Sequence, residues 1–192
     1  MVATLPSDRP AKEPAPTGGA GLSEWSGDLV AHSGFTFHVR PVRPDDVEAM
    51  GAFFARVTPE DLRFRFLTSM KEVGEDRLRS MTSVDHRQTE SFVAFEPGNG
   101  AIIATAMLAC DPALEVGDVA ISVSADHKNL GIGWELLNHL TRYATAKGVK
   151  QLQSLESRSN LSAIRLEKEL GFTSEPYFGD STLMLLQKSL AP

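Results

Sequence analysis

Residues 119–134 read Val119-Ala-Ile-Ser-Val-Ser-Ala-Asp-His-Lys-Asn-Leu-Gly-Ile-Gly-Trp134. Val119, Ile121 and Val123 alternate with Ala120, Ser122 and Ser124, the two-residue period of a half-buried strand. A short loop with glycines at 131 and 133 then opens a helix with Leu136, Leu137, Leu140 and Ala144 on one face. Gly148 ends that helix after Lys147. The first N–H groups of a helix have no internal acceptor, and the helix dipole favours negative charge there. Gly131 and Gly133 let the main chain approach a ligand closely, and Lys128 adds a cation beside the turn. Together they form a candidate pyrophosphate site, although a plain strand-to-helix turn has the same local pattern. A Walker A loop is excluded because Trp134-Glu135 follows Gly133, and a Rossmann fingerprint because Leu136 holds its third small position.

Outward from this segment the periodicities stay regular. Phe35, Phe37 and Val39 alternate with Thr36, His38 and Arg40 in a strand closed by Pro41 and Pro44. Asp45 caps a helix carrying Val47, Met50, Phe53 and Phe54, and Thr58-Pro59-Glu60-Asp61 starts a second. A short helix is predicted over 75–81, strands over 91–96, 101–109 and 118–124, then a strand over 149–156, a helix over 162–170 and a strand over 181–187. Strands that neighbour one another early, followed by strand–helix–strand–helix–strand, define a mixed α/β sheet with helices on its faces.

The 192 residues are enough for one domain. Residues 1–34 hold 4 of the 11 prolines, 5 of the 15 glycines and no phenylalanine, so they read as a flexible tail before a domain spanning 35–192. Trp25 and Leu29-Val30 are the residues there that could dock locally. The net charge of −6 offers no basic excess for a nucleic-acid backbone. No apolar run approaches the roughly 20 residues of a membrane-spanning helix, and no secretory signal core is present. A soluble cytoplasmic protein is therefore expected, with neither nucleic acid nor membrane as partner and a homodimer allowed. The single Cys110 excludes an internal disulfide and reads as a core thiol. The five histidines show no metal-ligand spacing, so no metal is expected, and His127 reads as an exposed loop residue. Arg63 and Arg65 read as solvated helix charges, Tyr143 and Tyr177 as packing residues, and Trp134 as a group that packs or shields a ligand.

Lys128-Asn-Leu-Gly-Ile-Gly133 resembles the acyl-CoA-binding turn of the GNAT superfamily of N-acetyltransferases, Arg/Gln-x-x-Gly-x-Gly/Ala. Asn160-Leu-Ser-Ala163 followed by Glu169-Leu-Gly-Phe172 resembles the same family's late motif. Val39-Arg-Pro-Val-Arg-Pro-Asp-Asp46, Phe53-Phe54 and Thr58-Pro-Glu-Asp-Leu-Arg-Phe-Arg-Phe66 resemble the catalytic domain of bacterial protein lysine acetyltransferases. The resemblance implies a mostly antiparallel sheet flanked by helices, acetyl-CoA as cofactor, and a primary amine as acceptor, a protein lysine ahead of a small molecule. A CoA-sensing module without turnover is the reading from another class. Pantetheine would pair with the main chain around Ile121, Ser122 and Val123. Pyrophosphate would rest on N–H groups across Asn129, Leu130, Gly131, Ile132, Gly133 and Trp134 beside Lys128, and Asn160 would reach the cofactor from the next helix.

A lysine amine, with a pKa of about 10.4, is protonated at neutral pH and needs a base before it can attack. Related lysine acetyltransferases carry a Glu on the strand before the turn, and Asp118 occupies that position, one methylene shorter. It shares a strand face with Ala120, Ser122 and Ser124. The developing oxyanion would be stabilised by main-chain N–H near Val123. The family's usual general acid is a Tyr three residues before the Leu of Leu-Gly-Phe, and Glu167 stands there instead.

Overall fold

The computed structural model describes residues 23–190. Its elements along the chain are β1 (Gly27–Val30), β2 (Thr36–Pro41), α1 (Val47–Phe54), α2 (Pro59–Phe66), α3 (Glu75–Thr82), β3 (Thr89–Phe95), β4 (Ile102–Cys110), β5 (Val116–Val123), α4 (Ile132–Lys147), β6 (Gln151–Ser157), α5 (Leu161–Glu169), β7 (Thr173–Pro176) and β8 (Leu183–Ser189). The strands form one sheet in the order β1-β2-β3-β4-β5-β6-β8-β7. Neighbours are antiparallel except β5 and β6, which the α4 crossover makes parallel. The sheet is thus mixed and mostly antiparallel, as the sequence pattern implies.

Local chemistry explains the helices that matter for the site. The Thr58 hydroxyl accepts from the Asp61 N–H at 3.2 Å, and Pro59 fills the first turn of α2. In α4, Gly148 adopts φ +88° and its N–H closes onto the Ala144 and Thr145 carbonyls. Leu136, Leu137 and Leu140 of α4 bury against Phe92, Ala106, Leu108 and Leu152 on one face of the sheet. Met50, Phe53 and Phe54 of α1, with Leu78 and Met81 of α3, cover the other face over Val42, Val93 and Ile102. Each such side chain fully withdrawn from water contributes about 1.5–3 kcal/mol.

The strands β5 and β6 pair only where Val116–Asp118 meets residues 151–153, and beyond that they diverge. Gly117 sits at the joined end. A Cβ there would lie 2.6 Å from Leu108 Cδ1, 3.3 Å from Cys110 Sγ and 3.4 Å from Leu152 Cδ2. A Cβ at this position would require the Leu108 side chain of β4 to shift.

Two elements depart from the sequence reading. Residues 27–30, expected within a flexible tail, belong to the sheet: Gly27 to Val30 pair with Val39 to Thr36. Trp25 anchors this stretch by packing edge-on against His139 and Tyr143, with ring centroids 5.6 and 5.2 Å away. Residues 1–22 of the expected tail lie outside the described residues. Strand β7 is also new. Its four residues Thr173-Ser-Glu-Pro176 carry no apolar alternation and are held through pairing with β8. No helix among the described residues is long and apolar enough to cross a membrane.

Candidate active site

The divergence of β5 from β6 opens a cavity of about 470 Å³. Its walls are residues 119–123 of β5, Leu155 and Glu156 of β6, residues 127–129 and 131–134 of the turn, the inner side of α5, and Asp61, Phe64 and Arg65 of α2. From Val119 onward the β5 edge that faces β6 has no strand partner. Its main-chain N–H and C=O groups are therefore available to an extended polar ligand.

At the turn, Asn129 and Gly131 take φ values of +61° and +82°. Gly131 is the N-cap of α4 and supplies no capping side chain, so the N–H groups of Ile132, Gly133 and Trp134 face the cavity without an intrahelical acceptor. A Cβ on Gly131 would be strained at this φ and would stand 3.4 Å from Ala31 Cβ and 3.5 Å from the His32 nitrogen. The β1–β2 hairpin thus backs the turn from behind, and the Ser33 hydroxyl donates to the Leu130 carbonyl. Leu130, whose expected pyrophosphate contact is through its main-chain N–H, packs its side chain against the core. Lys128 lines the cavity and is ion-paired with Asp61 of α2. His127 is buried rather than exposed: its Nδ1 lies 3.0 Å from Ser124 Oγ and its Nε2 3.4 Å from Glu96. It buttresses the turn.

The opposite wall is made of ionisable side chains. Glu156 Oε2 accepts from Asn160 Nδ2 at 2.7 Å, while Asn160 Oδ1 accepts from the Ala163 N–H at 3.4 Å and caps α5. Asn160 lines the cavity as expected, but both ends of its amide already have protein partners. Burial pushes the Glu156 carboxyl up to about 7 against the opposing pull of Asn160 and the Arg65 charge. Glu167 is 6% exposed, receives a hydrogen bond from the Ser154 hydroxyl, and is pushed by burial, with the Glu156 charge adding to it, up to about 8. Arg65 is not a solvated helix charge. Its guanidinium is withdrawn into the cavity wall, where burial lowers it to about 10.

The structure brings together Ile121, Ser122, Val123, Lys128, Asn129, Gly131, Ile132, Gly133, Trp134 and Asn160 around this cavity. It does not bring Asp118 there. Asp118 sits on the joined end of the strands, exposed, with Oδ1 accepting from Gln153 Nε2 at 2.9 Å. The strands separate one residue later than a base at position 118 requires. Glu156 is the carboxyl that sequence reasoning passes over, whereas Glu167 enters there only as the residue standing where the family usually has tyrosine. A signal existed for Glu167, since Ala163, Leu166, Glu167 and Leu170 fall on one helical stripe.

A free strand edge, unpaired helix N–H groups and a glycine approach fit a ligand with an extended amide arm and a pyrophosphate. The model of the Acetyltransferase (GNAT) family matches residues 55–172, and the chain belongs to that family. Acetyltransferase PA5475 of Pseudomonas aeruginosa is 29% identical over 154 residues, spanning 79% of this chain and 83% of that protein. The GNAT domain of S. lividans PAT superposes with a TM-score of 0.80 at 22% identity, covering 93% of this chain and 99% of that one. The yncA protein of Salmonella typhimurium, solved with its cofactor acetyl-CoA, does so with a TM-score of 0.63 at 20% identity over 81% of this chain and 95% of its own. The chain is an acetyl-CoA-dependent N-acetyltransferase of this family.

Proposed function

We propose that the acceptor is a protein lysine and that the two cavity carboxyls, Glu156 and Glu167, divide the proton transfers between them. The observation that carries this reading is that both carboxyls line one cavity and burial raises both toward neutral pH. Bound acetyl-CoA supplies an activated acetyl thioester. The β5 edge beyond Val119 and the first-turn N–H groups of α4 hold the cofactor, with Lys128 released from Asp61 to face the pyrophosphate. Glu156, half ionised near pH 7, takes a proton from the incoming ammonium. Glu167, raised by burial to about 8, donates its proton to the departing sulfur and is reprotonated by the second proton that the attacking nitrogen sheds. Glu156 replaces Asp118 in the base role because it lines the cavity and Asp118 does not.

The lysine assignment draws on the likeness in fold to S. lividans PAT, a protein acetyltransferase, over nearly all of both chains. It draws also on a cavity whose carboxylates, Glu156 with Glu169 and Asp61, suit a cationic side chain. Incubation of the enzyme and acetyl-CoA with denatured and native cell protein, followed by peptide mass spectrometry, tests it. Enzyme-dependent acetyl-lysine at defined sites is expected. Release of CoA with small amines but no modified peptide would move the acceptor to a small molecule.

A further inference from the structure

Arg65 carries a charge into the cavity wall without the partners such a charge ordinarily has. Its Nη2 donates to Met107 Sδ at 3.5 Å, a weak acceptor, and its Nε has no hydrogen-bond partner. No carboxylate among the described residues lies within 4.0 Å of it. Glu156 on β6 attracts it from farther away, and Arg77 on α3 repels it. The guanidinium also lies over the Phe66 ring at 5.1 Å, but its Nε–H, buried without an acceptor, is unfavourable unless something else completes its hydrogen bonding.

A second donor lies beside it for an independent reason. Along β4 and β5, Met107 stands opposite Ala120 and Thr105 opposite Ser122. Met107 and Ser122 therefore project from the same face of the sheet as diagonal neighbours. Arg65 reaches Met107 on the sheet face that Ser122 shares. The Ser122 residue is 6% exposed, and its hydroxyl has no hydrogen-bond partner. Both residues line the cavity. Neither is needed to build the pyrophosphate turn or to hold Glu156 and Glu167 in place.

We infer that Arg65 and Ser122 form a subsite for an oxygen acceptor, a carbonyl or a carboxylate, carried by the amine that is acetylated. This rests on the cavity being the transfer site. An amine with no such oxygen leaves two buried donors unsatisfied and is selected against. The oxygen has two sources: the free carboxylate of an amino-acid-like amine, or the peptide carbonyl next to a lysine side chain.

The test uses the full chain labelled with ¹⁵N and saturated with CoA. The Arg65 Nε–H resonance is assigned by its loss in Arg65→Lys. Three probes are titrated: L-lysine, Nα-acetyl-L-lysine amide, and cadaverine, which has the amine but no oxygen. The subsite requires L-lysine or the amide to move the Arg65 resonance, with affinity at least about ten-fold tighter than cadaverine and weakened in Ser122→Ala. The probe that moves it identifies the source. A resonance that neither oxygen-bearing probe moves, or that cadaverine moves equally, overturns the inference. Thermal stabilisation by acetyl-CoA is measured in parallel: its absence removes the transfer-site reading itself, whereas its presence with a silent Arg65 removes only the subsite.

Discussion

At the turn end of the cavity the groups that face a ligand belong to the main chain: the N–H donors at the start of α4, presented by Gly131 at φ +82°. At the β6 end they belong to side chains, Glu156, Glu167 and Arg65, each with its ionisation shifted by burial. The first end recognises a constant part of a ligand and tolerates few changes in backbone shape. The second sets protonation and can be retuned one side chain at a time. The proposed roles make binding and chemistry separable, and mutation should pull them apart.

The largest effect is expected at the turn. Gly131→Glu introduces strain at a left-handed φ, contact with Ala31 and His32, and an anion where a pyrophosphate must sit. Wild-type protein at acetyl-CoA about 100 times Kd should gain roughly 2.7 kcal/mol of stability, and the variant none. A thermal melt with and without acetyl-CoA decides this. Next, Glu156→Gln should lower kcat by about 10²–10⁴-fold while keeping the acetyl-CoA-induced shift, and Asp118→Asn should leave kcat close to wild type. Loss of binding in Glu156→Gln, or a larger loss in Asp118→Asn, would break the division between the two ends.

The pH dependence follows with explicit sign. With Glu156 in its proposed role as a carboxylate and Glu167 in its proposed role as a protonated donor, rate should rise as pH passes about 7 and fall as pH passes about 8. The pair is coupled, and the two limbs belong to it jointly. Glu167→Gln should lower kcat and remove the alkaline limb. Because burial raises Glu167 above its unfolded value, its neutral form favours folding at low pH, and this contribution is lost as pH rises through about 8. Glu167→Gln should therefore melt higher than wild type at pH 9. The smallest effect is at Ser33→Ala, which removes the hydroxyl donor to Leu130 and should weaken acetyl-CoA binding by less than about ten-fold, roughly 0.5–1.5 kcal/mol, without altering kcat.

The same contrast explains what the sequence disclosed. The turn is a local code: glycines two apart after an alternating strand say where N–H groups will be free, whatever the rest of the chain does. The strand and helix order around it is legible for the same reason. The β6 end depends on which residues the fold withdraws from water, and spacing does not report that. Arg65 reads as a surface charge because α2 alternates Arg63-Phe64-Arg65-Phe66, yet only the packing of α2 over Met107 shows which arginine is enclosed. Asp118 reads as a candidate base because its distance from Gly131 is right, while its pairing partner Gln153 lies 35 residues away. Strand β1 was hidden inside a proline- and glycine-rich composition, its docking set by Trp25 against side chains of α4.

Gly117 gives the cavity its angle. Because β5 and β6 meet only at residues 116–118, that contact acts as the fulcrum of two rigid arms, and small displacements there are magnified toward their tips. The distance from Gly117 to Val123 is about 20 Å along the strand. A single methyl at Gly117 would press on the Leu108 side chain of β4 at 2.6 Å and touch Leu152 of β6 at 3.4 Å, and any backbone shift that relieves this would displace Ile121 and Val123 relative to Glu156. An alanine there should therefore cost alignment between the cofactor edge and the carboxyls before it costs the fold. The absence of one carbon atom, remote from every reacting group, fixes how far apart the two halves of the reaction are held.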